Sequence, residues 1–480
     1  MNGLKQKSIN GVIWNLTEKV GKQFIKIVLG VILARLLTPA DYGLIGMITV
    51  FFAISMVFID SGFGLAYIQK KEVTDVDAST IFYFNLFVSS LIFIILWFTA
   101  PLIAEFYGEN QLIQLIRVMS IVLIINSFGL IQIAKLKKDV DFKKKTLLIL
   151  GSSVLGTTAG ITAALLDYGV WSLVIQEIVR ASIKNIGLWF FYKWRPMLSF
   201  NINSLKSLFS FSSWALLMGV VNSIFDNLYV LIIGKFFPAA QLGFYTKANQ
   251  FQKMISQQPS NAVGSVAFPV FSKIQDEKEQ LKNAIRKFIQ HSMFFITPIA
   301  ALFFVIAKPF FLILLTEKWL PMVPYFQLLL IAGVIYPLHM VNVQVLSAQG
   351  KMRLNFNISM IKNMFRVLNI IMMYRFGVIY IIYGEIFFSY VALLINTYYT
   401  KKLVNYGFLE QLKDLSRILL TSITLTFLGT LLMDQVTNQY LKIAVIIVFI
   451  GSVYLISMYY FNRKLFFDNL KIIKNKVSGK

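Results

Sequence analysis

Apolar runs of about 20 residues recur along the whole chain, separated by short polar segments. A run of that length crosses a bilayer as a helix, because hydrocarbon offers the backbone no hydrogen-bond partner and a helix satisfies its N–H and C=O groups internally. With 57% hydrophobic and only 14% charged residues among 480, the apolar surface far exceeds what a soluble core could bury. The expected fold class is an all-α polytopic membrane protein. Spans are expected near 11–37, 44–66, 80–104, 112–134, 146–166 and 170–192. A second set falls near 210–236, 249–271, 288–315, 323–347, 358–375 and 378–400, and a last pair near 415–433 and 441–461. That makes about fourteen, read as six plus six plus two.

The grouping follows from an internal repeat. Trp14, Arg35, Gly43 and Gly64 return as Trp214, Lys235, Gly243 and Gly264, each at an offset of 200. GVWSLVIQE at 169–177 returns as GVIYIIYGE at 377–385, sharing its glycine, valine and glutamate at an offset of 208. A duplicated membrane bundle is the usual signature of a transporter whose halves rock around a central site. The expected division is an N-terminal six-helix lobe at 1–206, a C-terminal six-helix lobe at 207–407, and two further spans with a basic tail at 408–480. Because each repeat has an even number of spans, both halves insert with the same orientation. The segment 193–209 joins them, punctuated by Pro196 and with room for a short interfacial helix.

Charge placement orients the bundle. A net charge of +24 could suggest nucleic acid, but the lysines and arginines sit between apolar spans, so no nucleic-acid partner is expected. One set of loops holds Lys70 and Lys71, the KLKKDVDFKKK run at 135–145, Lys193, Arg195, Lys206, Lys351, Arg353 and the tail from Arg463. The opposite set holds Asp41, Glu105, Glu109, Asp167, Glu317 and Asp434. Both termini are therefore expected on the cytoplasmic side. The first apolar stretch carries Glu18, Lys19, Lys22 and Lys26, unlike the uncharged core of a cleavable signal.

Soluble-enzyme chemistry finds no foothold. The chain has no cysteine, no Walker A loop, no H-E-x-x-H and no G-x-S-x-G, and no loop is long enough for a catalytic domain. No enzymatic activity, cofactor or metal is expected. His291 and His339 lack ligand-spaced partners and read as hydrogen-bonded helix residues. The isolated G-x-G at Gly62 and Gly64 reads as a helix break or close-packing site beside Asp60.

Ionisable side chains at membrane depth are the functional candidates, since each costs at least about 2.5 kcal/mol on insertion scales. Asn15, Glu18, Lys19, Lys22 and Lys26 fall on one stripe of the first span, which would face water or a charged ligand. The same residues also fit a snorkelling Lys19 and a Glu18–Lys22 pair that neutralises itself. The eighth span has a matching stripe of Asn249, Lys253, Ser256 and Ser260, with Pro259 placed to bend it. Under the offset of 200, Asn222 and Asp226 take the places of Lys22 and Lys26, and Ser260 that of Asp60. Glu177, Arg180 and Lys184 mark the sixth span, where Glu177 and Arg180 could be a neutral pair. Lys362 and Arg366 in the eleventh span fit cytoplasmic anchors, and Arg117 an interfacial one.

LARLLTPADYGLIG at 33–46, followed by DSGFGLAYIQK at 60–70, resembles the first hairpin of the polysaccharide transporters of the MOP flippase superfamily. Nearest are the Wzx-like proteins of colanic and teichuronic acid export. The resemblance implies a flippase that moves an undecaprenyl-diphosphate-linked oligosaccharide from the cytoplasmic to the outer leaflet of the bacterial cytoplasmic membrane by alternating access, for exopolysaccharide, O-antigen or capsule assembly. Membrane lipids, a polysaccharide polymerase and export machinery would be its partners. By analogy with lipid II flippases, Lys19, Lys22, Lys26 and Lys253, together with Arg180, would serve the diphosphate. Asn15, Asn222, Asn249 and Ser256 would line the polar cavity. Glu18, Asp60, Glu177 and Asp226 are the carboxylates available for ion coupling. The alternative is an ion-coupled multidrug or metabolite antiporter of the same fold, which should instead prefer acidic residues.

The charge asymmetry makes a direct prediction. Single cysteines placed at 108 and 140 and treated with an impermeant thiol reagent on intact cells should label at 108 and stay unlabelled at 140. The reverse pattern would invert the topology.

Overall fold

A computed structural model describes residues 2–60, 62–70 and 72–477. Expectations resting on Lys71 and on the side chains of Asn15, Lys19 and Trp214 fall outside the described residues. The chain is all helix and forms two compact units, Met1–Gly243 and Phe244–Lys480. Nine helical spans are long and apolar enough to cross a membrane among the described residues, and a tenth arises if one bent pair is counted.

In the first unit the helices are α1 (Asn2–Leu36), α2 (Pro39–Asp60), α3 (Phe63–Gln69), α4 (Asp75–Tyr107), α5 (Leu112–Lys138), α6 (Phe142–Leu165) and α7 (Trp171–Phe191). They are followed by α8 (Ile202–Asp226), α9 (Leu228–Phe236) and the start of α10 (Ala239–Gln252). Helices α1 and α7 are long, but each carries charge in mid-span and so falls outside the nine apolar spans. The break beside Asp60 lies where the two glycines place it: α2 stops at Asp60, Gly62 turns left-handed at φ 72°, and α3 begins at Phe63. One expected span is split, since α8 and α9 meet at a bend of 41° around Asn227.

Small residues set how closely the helices pack. On α6, a Cβ at Gly156 would lie 2.8 Å from the Gln176 carbonyl oxygen, and one at Gly160 would lie 3.0 Å from that of Ser172. This G-x-x-x-G spacing brings the α6 and α7 backbones together, the usual device where lipid supplies no hydrophobic drive for helix association. A closer approach joins the repeats. A Cβ at Gly43 would sit 1.8 Å from the Ala239 carbonyl oxygen, and one at Gly243 would sit 1.8 Å from that of Pro39. Positions 39 and 239, like 43 and 243, are partners at the offset of 200, so each repeat glycine rests on the other repeat's first helical turn. The contact is reciprocal, as a pseudo-two-fold relation requires.

Two expectations need correction. The basic run at 135–145 is not a loop: α5 continues to Lys138, α6 resumes at Phe142, and only residues 139–141 lie outside helix. The Asp141 carboxylate accepts from the Lys144 backbone N–H at 3.3 Å, which starts α6 early and makes Lys145 helical. The segment before α8 has no separate interfacial helix. From Tyr192 to Asn201 it is non-helical and pinned to α4, with Met197 N–H donating to Ser79 Oγ at 2.9 Å and Asn201 N–H to Thr80 Oγ1 at 3.1 Å. Asn201 then caps α8 directly, its Oδ1 accepting from the N–H groups of Asn203 and Ser204.

The second unit opens within α10 and continues through a π-helical turn, Lys253–Gln257, into α11 (Gln258–Lys273) and α12 (Lys278–Leu315). Beyond a short 3₁₀ segment come α13 (Val323–Gly333), α14 (Tyr336–Ala348), α15 (Met352–Met373), α16 (Val378–Val404), α17 (Phe408–Gln435), α18 (Gln439–Phe461) and α19 (Arg463–Val477). The bend expected from Pro259 takes the form of the π turn, because a ring in the second position of α11 cannot donate to the preceding turn. The final helices are tied to the rest of the unit by polar clamps. Arg286 Nε donates to Asp414 Oδ2 at 2.6 Å, Tyr406 donates its hydroxyl to the same oxygen at 2.8 Å, and Asn342 and Gln411 exchange amide bonds at 3.1 and 2.9 Å. Burial and the Asp414 carboxylate together hold the Tyr406 hydroxyl well above its ordinary pKa.

Gly43→Ala and Gly243→Ala should each prevent close contact of the repeats and lower stability by more than the roughly 1–3 kcal/mol of ordinary overpacking. Gly30→Ala and Gly151→Ala, where an added Cβ meets nothing within 4 Å, are the controls and should be neutral or gain about 1 kcal/mol of helix propensity. Unfolding midpoints of the four variants in lipid nanodiscs provide the comparison.

Candidate functional site: charged clusters at membrane depth

In the first unit the charges of α1 meet those of α6 and α7. Glu18 is buried, with only 7% of its side chain exposed, and accepts from Lys22 Nζ at 2.7 Å and Lys145 Nζ at 2.8 Å. Lys145 is itself only 11% exposed, and the neighbouring Thr146 hydroxyl donates to the Trp14 carbonyl at 3.1 Å, fixing α6 against α1. The i, i+4 pairing of Glu18 with Lys22 is thus present, but the glutamate is shared with a second lysine. Lys22 and Lys26 are both solvent-exposed.

On α7, Arg180 grips the Glu177 carboxylate with two donors, Nε at 2.9 Å and Nη2 to the other oxygen. One turn on, Lys184 Nζ donates to Asn126 Oδ1 of α5 at 2.5 Å and lies in the field of Lys22, Arg180 and Glu177. Lys22, Lys145, Arg180 and Lys184 thus gather around Glu18 and Glu177 along these helices. Asp60 lies apart, exposed, hydrogen-bonded by the Gly64 N–H and in the field of Lys137. Asn222 and Asp226 are exposed on α8.

The second unit repeats the theme with different partners. Lys253 is exposed at the start of the π turn, and Asn249 lies one turn earlier, half-buried. Ser256 is buried, its carbonyl accepting from Ser260 at 2.6 Å and its own hydroxyl without a hydrogen-bond partner among the described residues. Glu385 of α16 lies in the field of Arg366 and Lys253, is hydrogen-bonded by Tyr245, and has a buried Oε2 with no partner among the described residues. Lys362 stands one turn before Arg366. Two cations, Arg366 and Lys253, act on Glu385.

Both histidines are engaged in hydrogen bonds, His291 Nδ1 with Asn469 Oδ1 at 2.8 Å and His339 Nδ1 with Asn396 Nδ2 at 2.9 Å. Arg117 donates to the Trp97 carbonyl at 3.3 Å and stacks over its ring.

Residues 32–324 match the family model described as polysaccharide biosynthesis protein. The chain belongs to that family. Among its relatives, the teichuronic acid biosynthesis protein TuaB of Bacillus subtilis is 28% identical over 358 residues, 74% of each chain. The lipopolysaccharide biosynthesis protein WzxC of Escherichia coli is 24% identical over 365 residues, 75% of this chain and 73% of the relative. The fold is shared with the lipid II flippase MurJ in an inward closed conformation, with a TM-score of 0.77, 14% identity and coverage of 95% and 99%. An inward-facing multidrug resistance MATE transporter has a TM-score of 0.59 at 14% identity, covering 80% and 95%. The chain is a multi-pass membrane protein of the polysaccharide biosynthesis family.

Lys145 and the trio of Lys362, Arg366 and Glu385 are the residues that sequence reading placed elsewhere. Lys145 belonged to an expected loop, and Lys362 and Arg366 read as anchors. A signal for the trio was nonetheless present: Glu385 is the repeat partner of Glu177. In the first unit the glutamate takes Arg180 from its own helix, whereas position 388 is Phe388 and Glu385 must find its cations on neighbouring elements.

Glu18→Gln leaves Lys22 and the buried Lys145 without their shared carboxylate, a change expected to cost about 3–5 kcal/mol. Adding Lys145→Gln should recover most of that loss by removing the stranded charge. A double-mutant cycle of unfolding free energies in nanodiscs measures both effects.

Proposed function

We propose that the chain translocates an undecaprenyl-diphosphate-linked oligosaccharide from the cytoplasmic to the outer leaflet by alternating access. The observation that carries this reading is the clustering of cations about few carboxylates, Lys22, Lys145, Arg180 and Lys184 about Glu18 and Glu177 in the first unit and Lys253 and Arg366 near Glu385 in the second. Each such charge costs at least about 2.5 kcal/mol on insertion scales. A cluster rich in cations is suited to an anionic ligand. A diphosphate supplies about two negative charges, while its polyprenyl tail can stay in the bilayer. Lys22, Lys26 and Lys253 are the proposed contacts, with Arg366 added by its place beside Glu385; Lys19 keeps the role given by its register on α1. Arg180 is assigned a lesser part because Glu177 already holds it.

Lysine suits such a ligand because a point charge holds phosphate without the planar bidentate grip of arginine. An inside-negative potential favours outward movement by about 2.3 kcal/mol per charge per 100 mV. Glu18, Asp60, Glu177 and Asp226 remain proposed for ion coupling, and Glu385 joins them. The proposed topology has about fourteen spans, two six-span repeats in parallel orientation and a last pair, with both termini in the cytoplasm of a bacterial cell. The charged spans α1 and α7, at 35 and 21 residues, are long enough to cross the bilayer. A polymerase and export machinery would receive the glycan.

The test is glycan export by cells that carry Lys22→Ala, Lys26→Ala and Lys253→Ala singly and together. The triple variant should lose export while its abundance in the membrane stays near that of the parent. Undiminished export by the triple variant would remove these lysines from the site.

A further inference from the structure

At one end of the first unit lies a cavity of about 350 Å³, lined by Asp41, Gln111, Gln114, Asp167, Tyr168 and Trp171 over a floor of Leu115, Gly169 and Val170. Three elements build it: the start of α2, the start of α5 and the turn between α6 and α7. The turn is a fixed structure. Asp167 and Gly169 both adopt left-handed backbone, at φ 60° and 52°, and the N–H groups of Tyr168, Trp171 and Ser172 are bonded to the carbonyls of Ala163, Tyr168 and Gly169 at 3.2, 3.1 and 3.0 Å. A non-glycine residue in that region is uncommon, and Asp is among the types that tolerate it. Asp41 is fixed as well, its Oδ2 accepting from the Thr38 N–H at 2.8 Å and hydroxyl at 2.7 Å. Its other oxygen, Oδ1, faces Gly169.

The lining has a definite chemistry. Leu115 and Val170 are buried and give an apolar floor, Tyr168 and Trp171 offer aromatic faces, and two glutamines and two aspartates surround them. A carboxamide donates two hydrogen bonds and accepts on its oxygen, and a carboxylate accepts only, which together match vicinal hydroxyl groups. Sugar C–H faces pack on aromatic rings, which combine a broad apolar body with a polar tip. The volume lies at the small end of the 300–1,000 Å³ or so typical of ligand cavities. No cation lines it, although the chain carries a net charge of +24. Lys138 ends α5, so the basic turn lies one helix length of 27 residues, about 40 Å, from the cavity at that helix's start.

We propose that this cavity is a saccharide-binding subsite for a short neutral glycan, on the outer face of the first unit and separate from the cationic clusters that serve the diphosphate. The proposal rests on the reading that a glycan is the cargo. It adds a specificity: Asp41 and Asp167, in a lining that holds no cation, repel uronic acids and accept uncharged hexoses. The subsite would hold sugar units as they emerge on the outer side.

Saturation-transfer NMR on the full-length protein in lipid nanodiscs, free of maltoside detergent, tests this with maltose and D-glucuronate as probes. Maltose should receive saturation and glucuronate should not. Gln114→Ala combined with Tyr168→Ala, both exposed, should weaken maltose binding at least tenfold. Gln114→Arg should admit glucuronate, a gain that misfolding cannot imitate. Equal maltose signals from parent and double variant, equal binding of both probes by the parent, or no gain of glucuronate binding in Gln114→Arg would each overturn the subsite. Export of glycan by cells with and without the parent protein is read in parallel, so a failure of the export reading is seen there and a failure of the subsite in the NMR.

Discussion

An ionised side chain in hydrocarbon must find an opposite charge or water, and the way the helices meet that demand shapes both units. Glu18 is the clearest case. It is buried where α1 meets α6, and Lys22 and Lys145 both reach it, so one carboxylate joins two helices. Removing either partner of a buried pair costs more than the pair itself contributes, because the survivor is stranded. The same demand acts on Glu385, which takes its positive neighbours from α15 and the π turn. Such pairs fix helix register more than they add stability.

Geometry of a different kind joins the repeats. Gly43 and Gly243 are equivalent by sequence, and each is pressed against a backbone carbonyl belonging to the other's repeat. No side chain, not even a methyl group, fits there. The glycines are explained by this close approach and not by backbone freedom, since both lie within helices. Where hydrophobic drive between helices is weak, contact of small residues is the main packing force left.

The fold is common to flippases and to multidrug transporters, with TM-scores of 0.77 and 0.59 to a member of each, so fold alone does not choose between them. The proposed flippase function rests instead on the sign of the charged clusters. A site built around Lys22, Arg180, Lys184 and Lys253 would repel a cationic drug. An anionic headgroup would be drawn in. Family membership is in polysaccharide biosynthesis, and the acidic and aromatic cavity at the start of α5 has the chemistry of the proposed saccharide subsite.

Much of this was legible in the sequence because membrane spans are dictated locally. Twenty apolar residues form a helix wherever they fall, lysine asymmetry orients them, and a repeat at an offset of 200 shows as matching letters. The break at Gly62, the irregular turn before Pro259 and the Glu18–Lys22 spacing were all readable because each depends on neighbours a few residues away. What the linear pattern could not determine was which distant residue meets which. Lys145 looked like one more loop cation until Asp141 capped α6 and turned it toward Glu18, 127 positions away. Likewise Lys362 and Arg366 looked like anchors until α15 and α16 packed and brought Glu385 beside Arg366. Hydrophobicity and charge asymmetry are properties of a segment and can be read from it, whereas the pairing of charges belongs to the space between segments and exists only once they have packed.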